Sequence, residues 1–271
     1  MSPTERSTGV AIMGYGAIGA VLADCLIADS DGPPLRVVVA RSTQAAARAA
    51  LPGSVTVAQD PDALLRADVD LVVECCGHDG LQAIAPRVLA SGRDLMIVST
   101  GVLATPGVLD AWVREARLAG SRLLIPAAAI AGLDGLGACR RAGLSRVVYT
   151  STKPPLAWRG TPAEAVVDLD ALAERTTIFE GSAREAAMAY PKNANLAASV
   201  ALAGLGLDAT MVRLVADPAV AGNTGHILAE SAVGRLEITV SGAASANPKT
   251  SAITAYSLAR AVQQRSACLV I

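Results

Sequence analysis

The run Val10-Ala11-Ile12-Met13, followed by Gly14-Tyr15-Gly16-Ala17-Ile18-Gly19, constrains the fold more than any other stretch. A short apolar segment enters Gly-x-Gly-x-x-Gly, and an apolar helical pattern, Ala20 to Ala28, leaves it. This is the strand, tight turn and helix of a dinucleotide-binding unit. In such a unit Gly14 permits the turn and Gly16 lets a pyrophosphate approach the backbone. Gly19 lets the helix pack close to the strand. The first helical amides, at Ala17 and Ile18, together with the helix dipole, then hold the phosphates.

The residues that follow repeat the alternation. Leu35 to Val39 reads as a buried strand running into Arg41-Ser42-Thr43. An acidic residue here would bind the ribose hydroxyls of NAD, whereas Arg accommodates the 2′-phosphate of NADP. Arg41, followed by two hydroxyl residues, therefore points to NADP, or to acceptance of both NADP and NAD. Asp70 to Glu74, Asp94 to Ser99 and Arg122 to Ile125 read as further strands. Leu81 to Ala90 and Val108 to Ala119 read as helices between them. Such alternation implies an α/β fold, a Rossmann-type parallel sheet with helices on both faces. Residues 1–126 are the expected dinucleotide-binding domain.

Beyond Pro126 the texture changes. Ala127 to Ala142 and Asn193 to Ala203 are expected to be helices. Ser145 to Thr152, Thr176 to Glu180, Met211 to Ala216, His226 to Glu230 and Arg235 to Ser241 suit a mostly antiparallel sheet. Residues 127–246 are expected to form an α+β domain with the substrate contacts. Asn247-Pro248 opens a last helix, Thr250 to Gln263, and this C-terminal piece, 247–271, is expected to pack back on the dinucleotide domain.

Composition excludes several function classes. A formal net charge of -1 argues against nucleic acid as a partner. Hydrophobic residues reach 52%, but in short runs well below the roughly 20 needed to cross a bilayer. The first residues lack the apolar core of a signal peptide. A cytoplasmic protein with no membrane partner is expected. The five cysteines are odd in number and lack metal-ligand spacing, so reduced thiols and no metal are expected.

The candidates for proton chemistry are few. There are two histidines, His78 and His226. His78 follows a cofactor-domain strand and His226 opens a strand of the second domain. Imidazole titrates near neutrality and suits proton transfer beside a hydride step. Of the 23 basic residues only Lys153, Lys192 and Lys249 are lysines, and each adjoins a proline. Turns of this kind can set a cation against a ligand carboxylate. A helix-start turn suffices to explain Lys249; Lys192 is the candidate for a ligand.

The whole pattern resembles the L-aspartate dehydrogenase family, NAD(P)-dependent enzymes related in architecture to homoserine dehydrogenase. The resemblance rests on Gly14-x-Gly16-Ala17-Ile18-Gly19, Glu74-Cys75-Cys76-Gly77-His78 and Ala129-Ile130-Ala131-Gly132-Leu133-Asp134. It continues in Lys153-Pro154-Pro155, Phe179-Glu180-Gly181-Ser182-Ala183 and Tyr190-Pro191-Lys192-Asn193-Ala194-Asn195. Val215-Ala216-Asp217-Pro218 and Asn247-Pro248-Lys249-Thr250-Ser251 close it. It implies oxidative deamination of L-aspartate to oxaloacetate and ammonia through iminosuccinate, and the reverse amination. It also implies a homodimer and a link to NAD biosynthesis. Ala129 and Asn195 would touch the cofactor near the nicotinamide. Lys192 and Asn193 would hold substrate carboxylates, with backbone amides near Ser99-Thr100. The family's Asn-x-His is replaced by Asn223-Thr224-Gly225-His226, which puts the family histidine's position on Gly225. His226 is the expected catalytic residue if a bulge at Gly225 re-aims it. A reductase of another imine or carbonyl substrate, or a non-catalytic dinucleotide sensor, are the alternatives.

Overall fold

A computed structural model of the chain describes residues 9–243 and 251–271. The chain divides into two units. The first comprises the N-terminal 99 residues, Gly107–Pro126 and Ala255–Ile271; the second comprises Thr100–Pro106 and Ala127–Thr254.

In the first unit, strands β1 (Val10–Met13), β2 (Leu35–Val39), β3 (Thr56–Ala58), β4 (Leu71–Glu74), β5 (Asp94–Ile97) and β6 (Leu123–Leu124) form one parallel sheet. Its order is β3-β2-β1-β4-β5-β6. Helices α1 (Ala17–Ala28), α2 (Gln44–Ala50), α3 (Ala63–Arg66), α4 (His78–Ala90) and α5 (Val108–Ala119) connect the strands. The central strands β1, β4 and β5 are buried throughout, because helices cover both faces of a parallel sheet. The strand order reverses between β1 and β4, and ligands of such sheets bind at the carboxyl ends of the strands at that point.

In the second unit, α6 (Leu133–Ala142) precedes β7 (Leu144–Lys153), β8 (Thr176–Ser182), α7 (Ala183–Ala189), α8 (Asn195–Ala203), β9 (Met211–Ala216), β10 (Thr224–Ser231) and β11 (Gly234–Ser241). The sheet order is β11-β10-β7-β9-β8. The β7–β9 pair is parallel and the others are antiparallel. One sheet face packs Tyr149, Val212, Leu214, Ile227 and Ala229 against Leu136, Ala197 and Val200 of the helices.

Several expectations are corrected. The helix expected from Ala127 starts at Leu133, since Ala128 has a positive φ of 55° and Gly132 one of 72°. Asn193 lies in a turn, and α8 starts at Asn195. Lys153 is the last residue of β7 rather than part of the turn after it. The Asn247-Pro248 helix start and Lys249 fall outside the described residues.

The C-terminal helix α9 (Ile253–Gln263) puts Leu258, Ala259 and Val262 into the core of the first unit with Val10, Leu22 and Leu26. Arg265 pairs with both Asp70 and Asp94. Among the described residues no helix is long and apolar enough to cross a membrane.

Candidate active site

The first unit gathers its chemistry at the ends of β1, β2 and β4. A Cβ on Gly14 would stand 2.5 Å from the Cys75 carbonyl oxygen, so the turn tolerates no side chain there. A Cβ on Gly19 would stand 2.0 Å from the Gly14 carbonyl oxygen, so α1 packs directly on the turn. Gly16 differs: nothing lies within 4 Å of its Cβ direction. Its lack of a side chain leaves open space, which is what an approaching pyrophosphate needs. No side chain caps α1, so the first-turn amides, including those of Ala17 and Ile18, have no side-chain acceptor at the helix start. A cleft of about 210 Å³ adjoins them, lined by Gly14, Gly16, Arg41, Ser42, Thr43 and Cys76 among others. Arg41 is exposed and, among the described residues, pairs with no carboxylate.

Glu74, fully buried at the end of β4, organises the neighbouring loops. Its Oε1 accepts from the amides of Cys76 and Gly77, each at 2.8 Å, and from Ser99 Oγ at 2.8 Å. Its Oε2 accepts from the amides of Val98 and Ser99 at 3.2 and 3.0 Å. One carboxylate thus ties the loop after β4 to the loop after β5. Burial, with the Glu74 charge, pushes the Cys76 thiol up to about 12 and the Cys75 thiol well up too, so neither is a thiolate nucleophile at neutral pH. His78 sits at the first position of α4.

The second unit gathers a different set. Lys153 is buried at the end of β7, and its Nζ donates to Asn193 Oδ1 at 3.0 Å. The same Nζ lies 5.1 Å from the Trp158 ring centroid. Trp158 is fixed by its indole N–H donating to the Val215 carbonyl at 3.1 Å and by an edge contact with Tyr190. Among the described residues Lys153 has no carboxylate partner. Burial lowers its pKa to about 8, because a low-dielectric setting penalises the ammonium. Lys192, next to Asn193, is exposed.

Asn195 begins α8; its Oδ1 accepts from the Gly101 amide at 2.9 Å and its carbonyl from Thr100 Oγ1 at 2.5 Å. Ala129 follows the left-handed Ala128, a backbone state costly for a residue with a Cβ and found most often at functional sites.

His226 is placed elsewhere. The β10–β7 register runs unbroken through Gly225↔Ser151 and His226↔Thr150, so no bulge re-aims the imidazole. Alternation turns Gly225, Ile227 and Ala229 into the core and His226 to the other sheet face. There its Nε2 meets Glu237 Oε1 at 3.0 Å. Lys153 and Ser151 point the opposite way from Thr150, so His226 is not among the groups gathered about Asn193.

Known proteins give this arrangement its family. Residues 14–126 match the family model for the homoserine dehydrogenase NAD binding domain, and residues 134–265 match the aspartate dehydrogenase C-terminal model. An L-aspartate dehydrogenase of Polaromonas sp. is 44% identical over 264 residues, 97% of this chain and 99% of the relative. That of Pseudomonas aeruginosa is 42% identical over 93% of this chain and 96% of its own. The chain belongs to the L-aspartate dehydrogenase family. The crystal structure of aspartate dehydrogenase from Thermotoga maritima, 26% identical, superposes with a TM-score of 0.75 over 97% of this chain and 99% of that one.

As an L-aspartate dehydrogenase family member the chain carries a nicotinamide-dinucleotide-binding unit, and the cradle at Gly14, Gly16 and Gly19 fits that cofactor. Two buried polar residues, Glu74 and Lys153, are not singled out by the sequence alone. In the sequence Glu74 marks only the end of a strand, and an acid closing an otherwise apolar strand is the available signal. Pro154 and Pro155 after it make Lys153 look like a turn residue. The signal that it held was its place one step past a β-rich run, on the inward parity of Val147, Tyr149 and Ser151.

Proposed function

We propose that this protein catalyses the NAD(P)-dependent oxidative deamination of L-aspartate to oxaloacetate and ammonia, and the reverse reductive amination. The carrying observation is the 44% identity to a curated L-aspartate dehydrogenase over nearly the full length of both chains. Gly14, Gly16, Ala17 and Ile18 hold the pyrophosphate, through the open side at Gly16 and the helix amides. Arg41, with Ser42 and Thr43, takes the adenosine 2′-phosphate, which makes NADP the preferred form and NAD the weaker one. Ala129 and Asn195 are assigned to nicotinamide recognition, and Asn193 and Lys192 to the substrate carboxylates. The bound nicotinamide supplies hydride exchange with the substrate Cα. The chain's own groups bind the dianion, orient it and manage protons at nitrogen and water.

The working unit is proposed to be a cytoplasmic homodimer whose iminosuccinate intermediate connects it to NAD biosynthesis; light scattering at micromolar concentration reads the oligomer. Absorbance at 340 nm tests the function. Oxidation of NADPH or NADH that requires both oxaloacetate and ammonia supports it, and cofactor binding with no turnover on oxaloacetate and ammonia overturns it.

A further inference from the structure

Within the second unit His226 stands on the other sheet face from the polar cluster, and the family position of the histidine is Gly225. A Cβ on Gly225 would meet Ile130 Cδ1 at 2.8 Å and the Tyr149 hydroxyl at 3.2 Å. The volume an imidazole would need there is already filled. Burial raises the Tyr149 pKa well above its ordinary value, so the phenol stays neutral and is no base. On the same face of β7, Tyr149 and Ser151 are followed by Lys153. Its amine is buried, held by Asn193 and Trp158, and lacks a counter-ion among the described residues.

We propose that Lys153 is the group that moves protons on and off the substrate nitrogen, in the place of a histidine. The proposal rests on the aspartate dehydrogenase reading. Few titratable groups surround it. Tyr190 packs against Trp158, and Tyr149 lies four residues back on β7. Asp217 donates its backbone amide to the Lys153 carbonyl, while its carboxylate accepts from the Ala219 amide. Lys192 is exposed.

The proton balance closes on this one amine. Neutral Lys153 takes a proton from the aspartate ammonium. The free amine's lone pair then forms C=N as hydride leaves Cα for the nicotinamide, giving the iminium. Lys153 has meanwhile become an ammonium. Water adds to the iminium carbon and releases one proton to solvent, forming the carbinolamine. The Lys153 ammonium protonates its nitrogen. The C–N bond breaks, ammonia leaves, and Lys153 recovers the hydroxyl proton as the C=O of oxaloacetate forms. That last proton passes to solvent.

The test compares Lys153→Met and Lys153→Arg in the full-length protein. Met removes the proton carrier, and Arg keeps the positive charge but does not deprotonate in this range. We expect both to lose at least a hundredfold in kcat and to lose the pH limb near 8, while NADPH binding, read by fluorescence, stays within threefold of wild type. Reductive ¹³C-methylation gives a second readout: with only three lysines in the chain the signals can be assigned, and that of Lys153 should titrate near 8. Full kcat in Lys153→Arg with only KM restored relative to Lys153→Met marks a carboxylate anchor and overturns the proposal. So does a Lys153 midpoint above 10, or an unchanged pH profile in Lys153→Met. A wild-type protein with no aspartate-dependent turnover defeats the parent reading instead.

Discussion

The Nζ of Lys153 and the Oδ1 of Asn193 lie 3.0 Å apart with both residues buried. This neutral amide partner leaves the ammonium with no compensating negative charge, and that has a thermodynamic consequence. Lys153 drops from 10.5 to about 8 in the folded protein. Between these values the unfolded chain binds more protons, so this group makes stability rise with pH from about 8 to 10.5. Below pH 8 the full penalty applies, about 3 kcal/mol. Lys153→Met should therefore unfold at higher denaturant concentration at pH 7, and the advantage should shrink as pH approaches 10. Urea titrations across that range check it.

Gly16 and Gly19 separate binding from folding. Gly16→Val projects into open space, so the fold should persist while dinucleotide affinity falls by at least tenfold. Gly19→Ala puts a carbon against the Gly14 carbonyl, so it should displace α1 and cost about 1–3 kcal/mol as an overpacked site. Thermal unfolding and cofactor titration on the same samples distinguish the two.

The proposed role of Arg41 is to set the choice of cofactor. Arg41→Ala should lower NADP affinity by roughly tenfold, the worth of one charged hydrogen bond at a partly exposed site, about 1.5 kcal/mol. NAD affinity should change less than twofold. The ratio of the two dissociation constants is the readout.

Glu74 holds two loops through five hydrogen bonds, all of them as acceptor. Glu74→Gln turns one oxygen into a donor facing donors. It should cost about 3 kcal/mol and weaken cofactor binding as the loops after β4 and β5 separate. Hydrogen exchange at the Cys76, Gly77 and Ser99 amides should accelerate.

The legible parts of the fold were those written in periodic apolar runs. β1, β2, β4 and β5 are short β-branched or apolar segments closed by glycine or polar residues, and their type is visible without tertiary context. The run 127–142 was not, because alanine and glycine carry no facing pattern. Its first six residues instead form the left-handed turns at Ala128 and Gly132. α7 was overlooked although Ser182-Ala183-Arg184-Glu185 spells a capping box, and both of its hydrogen bonds are present.

In the site, Gly14 and Gly19 were legible because backbone geometry demands that residue type, and Gly16 because its place in the Gly-x-Gly-x-x-Gly spacing marks where a pyrophosphate needs open space. The orientation of His226 was not. It depends on whether β10 carries a bulge, and the strand pairing through Gly225 decides that without any mark in the residues themselves. Lys153 escaped for a related reason: burial of a lysine depends on how the 3₁₀ helix Pro155–Trp158 folds Trp158 back over it and on Asn193, which is distant in sequence and sits in a turn.

Incubation with ¹⁵N-labelled L-aspartate and NADP, followed by NMR detection of products, tests the assignment most directly. The account predicts labelled ammonium, oxaloacetate and NADPH appearing in equal amounts. Labelled aspartate that remains intact with NADP and with NAD, in protein shown to bind either nucleotide, would contradict it.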